Sequence, residues 1–462
     1  MDEPFAPDHA STAPVAVETP GPSVFFNSAA NLAGLFAGNF LGFLAGFLTA
    51  RVLGPVGVGI LAVSFGISEF GRSLSNFTHN PSIVAYHRGL AEAPASAAPQ
   101  QAAAEPAARV FGTSLVLKLI GTGIFVGIIA SVAVPLGAFF KVPWWAVILT
   151  SLVLVAGIFQ EIGAARFEAE NRMVFRNVLI ALGPTVSLLA VVAFILTGTY
   201  GIATSVFTSV IGTLAMSVGF ALYWRSPWRL RWDGDVARYL VGHGSRIALA
   251  TLLNSSLIWT DTLLISHFLD LEQAGIYQAA FSLTFIMVTA SVAIGVALVP
   301  VMSRLAGKGE STALAYQRGT LLALALSLLV ALGYLVLGRA ILGFYRPEFL
   351  AGYPALLILT IFGIFGALAV PASSVLMVHD KAGKLILVGA MQVAINLPLN
   401  YFLIQRFGIT GAAVATTTAF VAGTVALWVL VRRETGAWPL SPAVLREGPR
   451  ALGRALGRRR VQ

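Results

Sequence analysis

A few polar or charged residues stand inside or at the ends of otherwise apolar stretches of this 462-residue chain, and they are the residues whose types could do chemistry. Asp261 is the most isolated carboxylate. It could bind a cation or a proton, hold a cationic partner, or bond a neighbouring helix. Asn254 precedes it by seven residues, which places both on one helical face. Glu69 and Arg72, three apart, could form an ion pair, or Arg72 could meet a phosphate. Lys118 lies about 12 Å inside its apolar run at ~1.5 Å per residue, where it either attracts a phosphate or snorkels to the interface. Arg246, with His243, opens another run as a cation site or an interfacial anchor. Gln392, Asn396 and Asn400 recur every fourth residue, as a polar cavity wall or as hydrogen bonds between helices. Arg72, Lys118, Arg246, Gln392 and Asn396 are therefore candidate substrate-binding groups, with Asp261, Glu69 and Asn254 candidates for ion coupling or gating.

The elements that carry these residues are set by composition. Hydrophobic residues make up 57% of the chain and charged residues 11%, too few charges for the surface of a water-soluble protein of this size. Twelve apolar runs are each long enough to cross about 30 Å of hydrocarbon as a helix. They fall near 28–50, 56–77, 111–137, 143–164, 178–198, 201–223, 246–268, 274–299, 319–338, 354–377, 385–404 and 409–431. The runs are continuous rather than alternating, which selects helices over a barrel. The expected fold is an all-α membrane protein.

The bases orient the spans. With a cytoplasmic N-terminus, 22 Lys and Arg fall in cytoplasmic connections and the C-terminal tail, and five (Arg51, Lys141, Arg339, Arg346 and Arg406) on the other side. The net charge of +10 is thus a topology signal and not a nucleic-acid footprint. Both termini are expected in the cytoplasm, with residues 1–27 a disordered tail. The 78–110 connection reads as a mobile Ala/Pro-rich linker. In the tail at 432–462, Arg446, Arg450, Arg454 and Arg458 recur every fourth residue, suited to an amphipathic helix on anionic lipid or to a frayed basic tail.

The chain also repeats. Leu53, Gly59 and Ile60 match Leu269, Gly275 and Ile276 at an offset of 216. Gly201-Ile202 matches Gly408-Ile409 at 207, and the basic loops 165–177 and 372–384 correspond at that same offset. The expected domains are two six-helix bundles, 28–223 and 246–431, joined by a connector at 224–245. Six helices per half imply a parallel pseudo-two-fold repeat. The second span has a small and polar face (Gly59, Ala62, Gly66, Glu69, Ser73, Asn76) and an adjacent polar face (Ser64, Ser68, Arg72, Ser75, His79), which suit water or protein rather than lipid. In the first span, Ala30, Gly34, Gly38, Gly42, Gly46 and Ala50 form a small-residue stripe, read chiefly as a packing surface. Gly183-Pro184 and Pro371 are expected kinks.

The motifs Arg51-Val-Leu-Gly-Pro-x-Gly-x-Gly, Asp261, Gly275-Ile276-Tyr277-x-Ala-Ala and Phe407-Gly408-Ile409-x-Gly-Ala-Ala resemble the multidrug/oligosaccharidyl-lipid/polysaccharide flippase superfamily. Within it the chain is similar to the polysaccharide-transport branch, the O-antigen and exopolysaccharide repeat-unit flippases of lipopolysaccharide biosynthesis. Similar proteins carry Gly-Leu and a basic stretch at the end of the second span, where this chain reads Asn76-Phe-Thr-His-Asn-Pro81. The resemblance implies alternating-access translocation of a polyprenyl-diphosphate-linked oligosaccharide across the bacterial inner membrane, with polysaccharide-assembly proteins as further partners. A multidrug/cation antiporter of the same superfamily is the alternative, followed by a membrane polysaccharide polymerase. The latter would need a large external loop, and the outside loops here are short. With no cysteine, no P-loop and six scattered histidines, no cofactor, metal or enzymatic activity is expected.

Overall fold

A computed structural model describes residues 22–75, 78–91, 99–170, 172–223 and 231–441. The elements are α1 (Pro22–Ser75), α2 (His79–Ala91), α3 (Pro99–Phe139), α4 (Trp144–Ala156), α5 (Ile158–Ala169), α6 (Met173–Leu196), α7 (Ile202–Tyr223) and α8 (Gly234–Phe268). They continue with α9 (Leu271–Gly307), α10 (Ala313–Tyr345), a 3-10 turn at Pro347–Gly352, α11 (Tyr353–Val378) and α12 (Ala382–Thr435). Among the described residues every element is helical, as an apolar solvent requires, since only helices and closed barrels satisfy their own backbone groups there. The Arg446–Arg458 stripe, Asn76, Arg225, Arg229 and residues 1–21 of the expected tail lie outside the described residues.

Among the described residues ten helices are long and apolar enough to cross a membrane, against the twelve runs read from the sequence. The difference falls on α1 and α12. Each is 54 residues long, about 81 Å at ~1.5 Å per residue, far more than one crossing needs. Each also contains one non-helical glycine, Gly54 (φ 70°, ψ −176°) and Gly408 (φ 60°, ψ −141°). These backbone angles are open to glycine and strained for any residue with a Cβ. The breaks recur at the offsets of the sequence repeat. Gly54 corresponds to the α8–α9 junction at Asp270, and Gly201, at the α6–α7 junction, to Gly408. At the α8–α9 junction Asp270 caps α9, accepting the Gln273 backbone N–H at 2.7 Å.

The described residues group into two compact units, one ending at Trp259 and the other beginning at Thr260. The division falls within α8, whose helix already starts at Gly234 in the segment expected as a connector. The described parts of the 78–110 stretch also differ from a mobile linker. Residues 79–91 form α2, and Ala85 and Tyr86 are buried against Phe111 of α3, Ile158 and Ile162 of α5, and Leu240 of α8. Its apolar side chains gain more from burial than a solvated linker would. Residues 22–27, expected in the tail, belong to α1.

Small residues set the helix packing. A Cβ on Gly212 of α7 would fall 2.5 Å from the Gly183 carbonyl oxygen of α6, so those two backbones touch. The glycine stripe of α1 departs from a packing role: a Cβ would collide with Asn177 at Gly34 but would meet nothing within 4 Å at Gly38, Gly42 or Gly46. Helices α6 and α11 run through Pro184 and Pro371. In the second unit Tyr277, Phe281 and Phe362 are fully buried, with Phe281 stacked on both of the others.

Candidate functional site

Asp261 sits on the C-terminal part of α8 and is fully buried. Its carboxylate accepts from four neutral side chains. The Tyr277 hydroxyl of α9 donates to Oδ2 at 2.5 Å, and the Thr416 hydroxyl of α12 donates to the same oxygen. On Oδ1, Asn400 donates at 2.6 Å and Asn396 at 3.4 Å, both from the first half of α12. Asn396 also donates to Thr416 Oγ1 at 3.0 Å, tying the helical segments on either side of Gly408 together. Among the described residues no Lys, Arg or His pairs with Asp261, so of the readings left open by the sequence a cationic partner is absent there.

Local sequence explains the convergence. Asn396 and Asn400 share a face of α12 at i, i+4 spacing. Gln392, one turn earlier, is half-buried and lies across Gly423, where a Cβ would come within 2.2 Å of its Nε2. The stripe therefore faces the second half of its own helix. The arrangement can hold an ionised carboxylate without a counter-charge. It can also take up a proton, because the Tyr277 and Thr416 hydroxyls can turn from donor to acceptor. The Oδ1 of Asn400 is buried with no hydrogen-bond partner among the described residues, leaving an oxygen ligand next to the carboxylate.

The other site residues are dispersed. Arg72 grips Glu69 through two hydrogen bonds, Nε to Oε2 at 2.9 Å and a terminal nitrogen to Oε1 at 2.6 Å. The guanidinium side chain is 52% exposed, so this ion pair occupies the fork that a phosphate would use. Lys118 neither snorkels nor stands alone. It is 2% exposed and forms an ion pair with Glu161 of α5. Arg246 and Asn254 are both exposed on α8, so Asn254 does not share the buried setting of Asp261 that the seven-residue spacing suggested. The polar faces of the second span meet protein. Ser68 donates to Thr150 of α4 at 2.9 Å, Ser73 and Ser255 share a hydrogen bond at 2.6 Å, and Gly66 lies under the Trp259 ring.

Sequence reading missed Glu161, Tyr277 and Thr416 as site residues. Glu161 carried the signal that singled out Lys118, a charge inside an apolar run. Tyr277 stood in a motif without a role of its own. Thr416 had no signal, since a lone threonine in an apolar helix usually bonds its own backbone.

In a helical chain with spans long and apolar enough to cross a membrane, a buried carboxylate that no base pairs is a group that marks functional sites. The model of the family of polysaccharide biosynthesis proteins matches residues 48–345, and the chain belongs to that family. Among known proteins it is 26% identical over 271 residues to the probable flippase AglR of Haloferax volcanii, covering 55% of this chain and 54% of that one. It is 28% identical over 192 residues to the probable low-salt glycan biosynthesis flippase Agl15 of the same organism, covering 41% of each. The chain thus spans about half the length of the curated relatives it matches. Among solved structures, an inward-facing multidrug resistance MATE family transporter of the MOP superfamily superposes with a TM-score of 0.75 at 13% identity, over 91% of this chain and 99% of that one. A MOP superfamily transporter from Pyrococcus furiosus gives 0.65 at 14% identity, over 90% and 95%. At these identities the likeness is one of fold.

Proposed function

We propose that this protein is a flippase that moves a polyprenyl-diphosphate-linked oligosaccharide across the membrane by alternating access, driven by a proton or cation gradient acting on Asp261. The observation that carries the reading is the fully buried Asp261 carboxylate, held by four neutral donors from α9 and α12 in a chain of the polysaccharide biosynthesis family. A charge kept at such a depth costs about 2.5–3.5 kcal/mol on insertion scales and is retained for function more often than for packing. The unpartnered Asn400 Oδ1 adds a second oxygen for a cation. AglR and Agl15 are named as flippases, which favours transport over catalysis. The bacterial inner membrane, with both termini on the cytoplasmic side, fits the distribution of Lys and Arg. The substrate would serve O-antigen or exopolysaccharide synthesis.

A multidrug/cation antiporter is the second reading, favoured by the MATE-type fold. Cationic drugs need unpaired acids. Here Glu69 is bound to Arg72 and Glu161 to Lys118, which leaves Asp261 as the acid without a basic partner among the site residues. Reconstitution decides between them. Proteoliposomes should translocate a fluorescent lipid-linked oligosaccharide under an imposed ion gradient and fail to extrude cationic dyes. Dye extrusion without oligosaccharide translocation would overturn the flippase reading.

A further inference from the structure

One end of the second unit is basic. There α9 ends, α10 begins, α11 turns into α12, and α12 ends. Residues 300–318, 379–384 and 428–441 hold seven Lys and Arg against three Asp and Glu, whereas the opposite end, at 268–275, 338–353 and 401–410, holds three of each. The last turn of α12 closes in a built reversal. Gly436 takes a left-handed φ of 71° and donates its N–H to the Arg432 carbonyl, which turns the chain back. The segment that follows is strapped to α10. Gln317 donates its side-chain N–H to the Trp438 carbonyl at 2.9 Å and accepts from the Ser441 hydroxyl at 3.2 Å, and Pro439 between them is buried. The strap lays the Trp438 ring over the Arg432 guanidinium, whose carbon is 4.5 Å from the ring centre, and Trp438 stays 44% exposed.

We propose that this strap is a binding site for the headgroup of an anionic phospholipid, with Arg432 and Arg433 taking the phosphate and Trp438 lying along the glycerol region. Stacking uses the flat face of the Arg432 guanidinium and leaves its edge N–H groups open to a phosphate. Among the described residues no Asp or Glu pairs with Arg432 or Arg433, and Glu434, the acid of the same turn, is taken by Lys384 at 2.5 Å. The depth fits a headgroup. Arg432 lies 24 residues beyond the break at Gly408, about 36 Å at ~1.5 Å per residue, which is just past about 30 Å of hydrocarbon. An indole at that level turns its apolar body to acyl chains and its N–H to water, the preferred setting of Trp. The C-terminal end of a helix disfavours an anion, so the attraction has to come from the two arginines and the basic end around them. A soluble anion gains nothing from the exposed ring, which favours a lipid over free phosphate. The proposal does not depend on what the protein transports.

The test is lipid binding to the purified full-length protein in neutral detergent, read by native mass spectrometry with dioleoyl phosphatidylglycerol and dioleoyl phosphatidylcholine as probes. Wild type should bind phosphatidylglycerol about tenfold more tightly than phosphatidylcholine. Arg432→Gln/Arg433→Gln should erase that preference while leaving the thermal midpoint in lipid-free detergent unchanged, since both side chains are exposed. Trp438→Phe keeps an apolar ring and should keep most of the affinity, whereas Trp438→Ala should lose it severalfold. Gln317→Ala removes no positive charge, but it frees the strap and should also weaken phosphatidylglycerol binding severalfold. Replacing Arg446, Arg450, Arg454 and Arg458 by Gln in the full chain should leave the preference in place. Equal binding of the two lipids by wild type, an unchanged preference in Arg432→Gln/Arg433→Gln, or unchanged affinity in Gln317→Ala would each overturn the proposal. Loss of the preference in the variant of the four later arginines would overturn it too, by placing the lipid site beyond the strap. Displacement of phosphatidylglycerol by an equal concentration of inorganic phosphate would assign the site to a soluble anion and overturn the lipid reading.

Discussion

Asn400 donates its side-chain N–H to Oδ1 of Asp261 at 2.6 Å, across 139 residues of sequence, with both groups buried. Asp261→Asn preserves the side-chain shape but removes the titrating group. Gradient-driven transport in proteoliposomes should fall to the level of protein-free vesicles, while the thermal midpoint in detergent moves by only a few degrees. Asn400→Leu leaves one carboxylate oxygen with its weaker donor and should cost about 1–3 kcal/mol of stability. Transport by Asp261→Asn that stays fully gradient-dependent would remove Asp261 from the coupling step.

Lys118 and Glu161 are a buried pair, so breaking it from either side is costly. Lys118→Gln should destabilise the protein by about 3–5 kcal/mol, and Lys118→Met/Glu161→Met by less than the sum of the two single changes. A double-mutant cycle on denaturant unfolding measures the coupling. A coupling near zero would mean that the two charges do not depend on each other.

Asp233 fastens the start of α8. Its Oδ1 accepts the Asp235 and Val236 backbone N–H groups, each at 3.1 Å, and its Oδ2 accepts from Arg109 Nε of α3 at 2.8 Å. Burial raises the carboxyl's pKa, but the Val236 N–H and the Arg109 guanidinium outweigh it and hold the group below its ordinary value. The stability this group supplies is present above the ordinary aspartate range and is lost as pH falls through the lowered value. Protection of the Val236 amide against hydrogen exchange, taken relative to its intrinsic rate, should fall as the solution is acidified through that range, and Asp233→Asn should flatten the acid response. An unchanged acid response in the variant would assign the effect to another group.

Gly54 and Gly408 hold positive φ angles in the middle of α1 and α12. Gly54→Ala and Gly408→Ala should each cost about 1–3 kcal/mol, read as a lower thermal midpoint and reduced yield of folded protein. Gly42→Ala, where a Cβ would meet nothing within 4 Å, is the matched control and should be near neutral. Equal effects at all three positions would show that the φ angles do not set the cost.

Much of the fold was legible in the sequence. Hydropathy summed over some twenty residues is a local quantity, and it located the apolar runs and the turns at Gly54, Asp270, Gly201 and Gly408. The 78–110 stretch was misread because α2 is too short to register as a span and too Ala-rich to stand out from a linker. Its burial depends on Phe111, Ile158 and Leu240, which only the tertiary fold brings to it.

The candidate site divided along the same line. Spacing at i, i+4 showed that Asn396 and Asn400 share a face, and the scarcity of charge marked Asp261, Glu69, Arg72 and Lys118 as exceptional. Periodicity says which residues share a helix face but not which helix that face meets. The partners of Asp261 lie 16, 135, 139 and 155 residues away, and the partner of Lys118 lies on a different helix. By itself the sequence determined that this chain is a helical membrane protein with a few costly buried charges. Only the tertiary structure decided that Asp261 is held by neutral donors while Lys118 and Arg72 are already paired, because that depends on contacts between helices that no local pattern encodes.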